Sequence, residues 1–479
     1  MSKLSGENAK RLFSYIKRNG IKASSYKAIE RLLEKPNRTN IADSQGEDVF
    51  DLISDKEQEE YEREMKFTHR YKFSVIVPAY ETGTRRIKEM IFSVLSQTYD
   101  NFELCIADAS VSNEVEEAVK SVNSDKIKYK RLPENNGISE NTNEALKMAT
   151  GEYVVFLDHD DIITRNALFE VMMVLEKGLK TESGILTNGI KLIYSDEDKC
   201  NDDLTEFFEC NRKPDFDINL LRTNNYICHM LTVRRELALK CGGFNKEFDG
   251  SQDHDFIFRC VENLSRDEIV HINKVLYHWR SHESSTATNP ESKLYAYDAG
   301  KRAVKAHLQR LSIEADVEDT PHLGFYRVRY KVSATDLTKI KIMTLDELKS
   351  LSSDELKNSD FEYIMVLNDN IKPESADYFE EMLGLLKQEE TGCVGGLVIN
   401  KGKIESAGYS IDENGELKPD FNGLNKHFSG YFNRAKIVRE VDGVCTDCMM
   451  VKKSAVDEGG VLKKDKIVVY CPYSVFKRV

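Results

Sequence analysis

The stretch Glu152-Tyr-Val-Val-Phe-Leu-Asp158-His-Asp160-Asp161 constrains this chain more than any other. Its β-branched and aromatic residues read as a buried strand, and that strand runs directly into three carboxylates. Apolar residues alone would make core, and carboxylates alone would make a solvated loop. A buried strand tipped with acid aims charge at one point in space. In an open α/β sheet that point, the carboxyl end of a strand, is where ligands sit. Residues i and i+2 of an extended segment face the same way, so Asp158 and Asp160 can share one target. Hard divalent cations such as Mg2+ or Mn2+ take one or two carboxylates together with substrate phosphates. The expectation is a metal-held nucleotide diphosphate with chemistry done beside it.

Strands and helices alternate around that stretch. Phe73-Ser-Val-Ile-Val77 reads as a buried strand stopped by Pro78. Ile87, Met90, Ile91, Val94 and Leu95 form one face of a helix. Phe102–Ala107 is a second strand, and Val115, Ala118, Val119 and Val122 mark a second helix. Ile127–Leu132 is a third strand, and a helix from about Glu140 to Ala149 precedes the acid-tipped one. This rhythm predicts an α/β fold with a mostly parallel sheet and helices on both faces. The strand tips Pro78-Ala-Tyr80-Glu81, Asp108 and Asp158 to Asp161 then converge on one edge. Asp108 could accept from a base or ribose hydroxyl, or serve as a turn or cap residue before Ser110, and position alone leaves both open. Asn135-Asn136-Gly137 is a turn signal. Asn141 and Asn143, on the helix that follows, are not explained as turn residues.

A chain of 479 residues is too long for one ordinary core. The divisions expected are a helical arm and linker over 1–70, an α/β domain over 71–320 and a last part over 321–479. The net charge of -13 argues against nucleic acid as a partner. The first forty residues run the other way, with ten Lys or Arg against three Glu. Leu12, Phe13 and Ile16, then Ala28, Leu32 and Leu33, have helical spacing on either side of Gly20. Such an arm either lies on an anionic membrane surface or packs on the next domain with its lysines solvated. No apolar run approaches the roughly 18 residues that span a bilayer, and no signal-peptide pattern is present. The expected location is the cytoplasm, with membrane contact only peripheral, through the arm, at the inner face of the plasma membrane. The ten cysteines are scattered, Cys105 and Cys228 within apolar stretches, and read as reduced core thiols. Cys445 and Cys448 form a Cys-x-x-Cys pair without a second pair beside it, a weak signal for metal or redox chemistry.

An ordered set of motifs now carries a resemblance. Phe73-Ser-Val-Ile-Val-Pro-Ala-Tyr80, Ser93-Val-Leu-Ser-Gln-Thr-Tyr99, Asn135-Asn-Gly-Ile-Ser139 and Gly151-Glu-Tyr-Val-Val-Phe-Leu-Asp-His-Asp-Asp161 are similar to those of family 2 glycosyltransferases of GT-A fold. Tyr194-Ser-Asp-Glu-Asp-Lys199, Cys241-Gly-Gly-Phe244, Gln252-Asp-His-Asp255 and Leu276-Tyr-His-Trp-Arg-Ser-His282 resemble the branch that builds bacterial surface polysaccharides, often containing rhamnose. The resemblance covers about 250 residues. It implies that Tyr80, Glu81 and Asp108 hold the nucleoside; Asn143, unexplained as a turn residue, is expected beside them in the donor-binding set. It implies that Asp160 binds the metal, that Asp158 contacts the ribose, and that Asp253 is the base of an inverting reaction. Arg280 and His282 match a basic segment that contacts the diphosphate. Two positions depart from the family: Glu81 stands where many members carry Asn, and His159 where small residues are common.

The implied chemistry has its own physical grounds. A sugar hydroxyl is a poor nucleophile near neutral pH, so a carboxylate must take its proton as it attacks. The glycosyl centre gains oxocarbenium-like charge, and the departing diphosphate needs neutralising. Asp253 also reads as a cap at the start of a helix expected over Asp255–Leu264. Asp196 and Glu197 read equally as acceptor-site residues or as a solvated acidic turn. Trp279 could stack on a sugar or be an interior aromatic. Asn225, Tyr226 and His229 fall on an expected strand near the acceptor side. The expected partners are a nucleotide-sugar donor and a glycan or lipid-linked glycan acceptor.

After residue 320 a poorer copy follows. Tyr363-Ile-Met-Val-Leu-Asn368-Asp-Asn370 echoes the acid-tipped strand with Asn at both flanking positions. Gly392-Cys-Val-Gly-Gly396, Ile404-Glu-Ser-Ala-Gly408 and Val441-Asp-Gly-Val444 also resemble a second transferase domain. Neither a strand with a Pro-x-Tyr turn nor a counterpart of Gln252-Asp253 accompanies them. The expectation is a degenerate domain, inactive or truncated. Two other classes stay in view for the whole chain. A nucleotidyltransferase would use paired carboxylates and release pyrophosphate, but Val77-Pro-Ala-Tyr80 lacks its phosphate loop. A binding module of transferase fold would release no nucleoside diphosphate.

Overall fold

Seven consecutive buried residues make Phe73–Ala79 (β1) the spine of a sheet. This computed structural model describes residues 6–33, 38–40, 56–178, 189–281 and 294–479, apart from 389, 458, 461 and 464. The chain divides into two compact units, Pro36–Phe216 with Asn225–His307, and Met1–Lys35 with Asp217–Asn224 and Leu308–Val479.

In the first of these, β1 is followed by β2 (Phe102–Asp108), β3 (Ile127–Arg131) and β4 (Tyr153–Phe156). The helices between them are α1 (Thr84–Leu95), α2 (Glu114–Val122) and α3 (Ile138–Met148). The four strands are parallel and stand in the order β3-β2-β1-β4. The order reverses between β1 and β4, which is where open α/β sheets leave a crevice for ligands. Ile87, Met90, Ile91 and Val94 of α1 and Val115 and Ala118 of α2 are buried in the same core as β1 and β2, as their spacing requires.

Beyond β4 the sheet changes character. β5 (Leu192–Asn201) and β6 (Thr232–Arg234) enter antiparallel to their neighbours, and β7 (Ile269–Ser281) runs parallel to β5. Helix α4 (Gln252–Val261) precedes β7. It starts three residues before the sequence expectation, which places Asp253 inside its first turn. Residues 224–231 form no strand, contrary to expectation; Cys228 there has φ +35°. The acidic stretch expected as linker is also partly built into the unit. Residues 41–55 lie outside those described, but Lys56–Glu64 is a helix. Its Glu62 is 3% exposed and accepts from Thr98 Oγ1 at 2.9 Å, while Glu59 pairs with Arg165. Polar contacts hold this helix, and an apolar-stripe search does not see them.

At the opposite end of the parallel strands from their tips lies a buried acid, Glu103 of β2. It receives Lys72 Nζ at 2.5 Å, Lys128 Nζ at 2.8 Å, Ser74 Oγ at 2.7 Å and the Thr150 N–H at 2.7 Å. Burial alone would raise its carboxyl, but Lys128, Lys72 and the hydrogen bonds outweigh that and hold it well below the usual carboxylate range. A lowered folded-state value adds stability above the unfolded glutamate value, and that stability is lost as pH falls through the folded one. Glu103→Ala is therefore expected to cost about 1–3 kcal/mol near neutral pH, since it leaves the buried Ser74 hydroxyl and the Thr150 N–H without their acceptor. The difference in denaturation midpoint from the wild type should shrink in acid.

The second unit holds the N-terminal arm. Gly6–Leu33 is helical with a break at Gly20, φ +76°, as the spacing on either side of that glycine implied. Glu30 accepts from the N–H groups of Ser429 and Gly430 at 2.7 and 2.8 Å, so the arm packs against the C-terminal part of the sequence. The sheet of this unit runs Ile340–Met343, Tyr363–Leu367, Cys448–Lys452, Thr391–Asn400, Ile467–Arg478, Ile371–Pro373. At the tip of Tyr363–Leu367, Asn368 Nδ2 donates to Asp447 at 2.7 Å, and Asn370 lies 3.5 Å from the same carboxylate. Arg478 closes on Asp447 at 2.5 Å and on Glu405. The amides that stand where the first unit has acids are thus bonded to side chains of their own unit.

Candidate active site

The tip of β4 is held from β7. Tyr277 donates its hydroxyl to Asp161 Oδ2 at 2.5 Å and accepts from the Asp158 N–H at 3.4 Å. The Arg280 N–H donates to Asp161 Oδ1 at 2.7 Å, and Arg280 Nε donates to the Asp160 carbonyl at 2.6 Å. Asp161 is 1% exposed with both oxygens engaged; it is the anchor of the loop rather than a residue turned to a ligand. From the β1 side, Thr82 Oγ1 lies 2.6 Å from His159 Nδ1. The unusual centre of the acid triplet thus ties the two strand tips together.

Asp158 and Asp253 line one cleft, with Pro78, Thr142, His229 and the apolar side chains of Ile76, Phe156 and Leu231. Burial raises the Asp158 carboxyl above its ordinary range, and the charges of Asp160 and Asp253 add to this while His229 opposes it. Asp160 and Asp253 are therefore both close enough for their charge to be felt at Asp158. Asp253 does not cap α4. Its Oδ2 accepts from Asn225 Nδ2 at 2.6 Å and from the Cys228 thiol at 3.5 Å. The cap reading fails because the carboxylate is turned from the helix N–H groups toward the 225–228 turn.

His229 stacks flat on Tyr277, ring centroids 4.3 Å apart and planes 8° apart. Its Nδ1 lies 3.0 Å from Glu197 Oε2. Burial would lower the imidazolium, but contacts with Cys228 and Glu197 outweigh it and keep His229 well above the usual histidine range. Glu197 is buried too, yet Lys213 Nζ at 3.0 Å and His229 lower it to about 2. Ligand atoms of Asp158, Asp161 and His229 all lie within 4.8 Å of one another. The expected metal residue Asp160 is not in that group, although it is close enough to raise Asp158.

The remaining expected residues divide. Tyr80, 44% exposed, sits open at the tip of β1. Glu81 follows at φ +46° and accepts from the Val111 N–H at 2.6 Å, which lowers its carboxyl; the side chain ties the loops after β1 and β2. Asp108 is fully buried and accepts from the Ser110 N–H and hydroxyl at 2.9 and 2.6 Å and from Tyr129 at 2.7 Å. It makes the turn that position alone allowed. Asn143 spends both ends of its amide on the main chain of Phe244, at 2.8 and 2.9 Å. Arg280 is fully buried, bonded to the acid loop and paired with Glu89 at 2.7 Å. As placed it braces the loop instead of reaching outward. His282 lies outside the described residues.

On the acceptor side, Asp196 is a correction. It is fully buried and takes His271, the Lys213 N–H and Arg212 at 2.8, 2.8 and 2.9 Å. No part of it is left for a sugar, because β5 carries it inward. Glu197 reaches the site only through His229. Trp279 is half-buried, its ring 5.7 Å from that of His229 and 5.4 Å from Lys199 Nζ. Asp255 is a structural acid, paired with Arg259 at 2.8 Å. Sequence reasoning missed Tyr277 and Arg86. Arg86 pairs with Asp202 at 2.8 Å, the main reason its guanidinium is held more firmly charged, and Asp160 contributes to the same effect.

Residues 74–238 match the family model described as glycosyl transferase family 2. That segment is a family 2 glycosyltransferase domain. It contains the acid loop, while Asp253 and β7 lie just beyond it. The O-antigen biosynthesis protein RfbC of Myxococcus xanthus is 29% identical over 328 residues, 66% of this chain and 24% of that protein. A protein of Sinorhizobium fredii, y4gI, is 29% identical over 459 residues, 83% of this chain and 49% of its own length. The chain thus spans about half the length of these relatives, or less. Among solved structures, S. aureus TarS 1–349 aligns at 21% identity with TM-score 0.39, covering 51% of this chain and 67% of that one.

Proposed function

We propose that the first unit is an inverting glycosyltransferase that moves a hexosyl or rhamnosyl group. Its donor is a nucleotide sugar and its acceptor a glycan or lipid-linked glycan in cell-surface polysaccharide synthesis. The observation that carries this reading is the placement of Asp253: it shares one cleft with Asp158 and is not used as a helix cap. Asp253 takes the proton of the acceptor hydroxyl as that oxygen attacks from the face opposite the leaving group. Tyr80 and the loop tied by Glu81 and Asp108 flank the nucleoside. Arg86 stands on the side where the diphosphate departs.

The donor set fits a divalent cation. Asp160 and Asp253 add like charge near Asp158, burial disfavours the ionisation of Asp158, and the ligand atoms of Asp158, Asp161 and His229 are hard oxygens with one imidazole. Asp160 and Asp158 would hold Mg2+ or Mn2+. The bound ion would supply charge neutralisation for the leaving diphosphate. Asp161 already spends one hydrogen bond on each oxygen, to Tyr277 and to the Arg280 N–H, and would add at most a further oxygen to the donor set.

The test is nucleoside diphosphate release from a panel of UDP-, GDP- and dTDP-sugars with Mg2+ or Mn2+. Release that requires Asp253 and Asp160 supports the reading. Pyrophosphate release from a nucleoside triphosphate and a sugar 1-phosphate would replace it with nucleotidyl transfer. Donor binding without release would leave a binding module. No helix among the described residues is long and apolar enough to cross a membrane. Lys17, Arg18, Ile21 and Lys22 of the arm are exposed, and the full chain is expected to co-sediment with anionic but not neutral vesicles. Loss of that binding on reversing Lys17, Arg18 and Lys22 to Glu would locate the contact; unchanged binding would remove it.

A further inference from the structure

The geometry points to Asn225 as the residue that positions the base. This rests on the assignment of Asp253 above. A carboxylate at a helix start can rotate, and only one of its oxygens needs to face the acceptor. Asn225 Nδ2 fixes Oδ2 at 2.6 Å. The orientation of that amide is set in turn, since Asn225 Oδ1 accepts from the Cys228 N–H at 3.4 Å. The Cys228 thiol adds a second, weaker donor to the same Oδ2 at 3.5 Å. Among the described residues Oδ1 of Asp253 accepts no hydrogen bond, so the proton-taking oxygen is the one left toward the cleft. The turn that does this is built for the purpose: Cys228 has φ +35°, and His229 beyond it is pinned by its stack on Tyr277 and by Glu197.

The groups facing Asp253 are Asn225 and Cys228, with His229 behind them, from the turn, and Asp158 from the tip of β4. On α4 itself, His254 is turned away onto Phe258, centroids 4.6 Å apart. Asn225 is thus the strong neutral donor on the base. A hydrogen bond to the charged form of a carboxylate favours that form.

Asn225→Ala is expected to lower the rate of nucleoside diphosphate release about 10- to 100-fold across the sugar-nucleotide panel, with the acidic limb of the rate profile moved up. Affinity for UDP or GDP with Mn2+, read by calorimetry, should stay within about twofold. Asn225→Asp, of the same shape, guards against a folding defect. It sets a second carboxyl beside the first, where the pair shares a proton, so its acidic limb should move further. A loss that appears in nucleotide affinity, or one with an unmoved pH profile, would overturn the positioning role. If Asp253→Asn itself turns over like the wild type, the base assignment fails. If Asp253→Asn is inactive and Asn225→Ala is not impaired, only this inference fails.

Discussion

Asp253→Asn is expected to lower turnover about 10³-fold while nucleotide affinity with Mn2+ stays near the wild-type value. The amide keeps the shape and can still meet Asn225 and Cys228, but it takes no proton. General-base catalysis acts on the transition state, so the loss belongs in kcat and not in binding. Removing a negative charge that faces Asp158 should, if anything, tighten the hold on an anionic donor. Single-turnover rates alongside calorimetric affinities separate these terms. Equal turnover by the variant and the wild type would end the case for Asp253 as base.

The second large effect is expected at the acid loop. Asp160→Ala should cost roughly 10² to 10³ in turnover and abolish the Mn2+ dependence of UDP or GDP binding, as should EDTA on the wild type. The informative contrast is Asp161→Asn. Its carboxylate joins Tyr277 to the Arg280 main chain inside the core, so this change should first lower the melting temperature, by loosening the loop. If Asp161→Asn folds like the wild type and loses only metal dependence, then the group of Asp158, Asp161 and His229 is the metal site and Asp160 is not.

Much of the site was legible before any coordinates, for a local reason. A strand that is apolar and then acidic states both its burial and its exit in consecutive residues, so Asp158 and Asp160 could be placed at a strand tip from periodicity. Asp108 could be located but not assigned, since turn and ligand roles use the same atoms, and Ser110 and Tyr129 settle what it bonds. Asp196 shows the limit of such reading. An Asp-Glu-Asp run looks solvated, and nothing local says that Arg212, Lys213 and His271 converge on its first member. The helix over Lys56–Glu64 escaped for a similar reason: its holding contacts, Glu62 with Thr98 and Glu59 with Arg165, are polar and distant in sequence.

The amino-acid order by itself determined the α/β rhythm, the edge where strand tips gather and the acids that arrive there. These follow from side-chain period and local burial, which a linear pattern records. The tertiary structure alone decided which oxygen of Asp253 is held, by Asn225 and Cys228. It decided that Tyr277 and Arg280 lock the acid loop, and that His229 joins Glu197 to Tyr277. Those are distances between segments tens to more than a hundred residues apart, set by how β7 and the 225–229 turn pack beside β4, and no local preference encodes them.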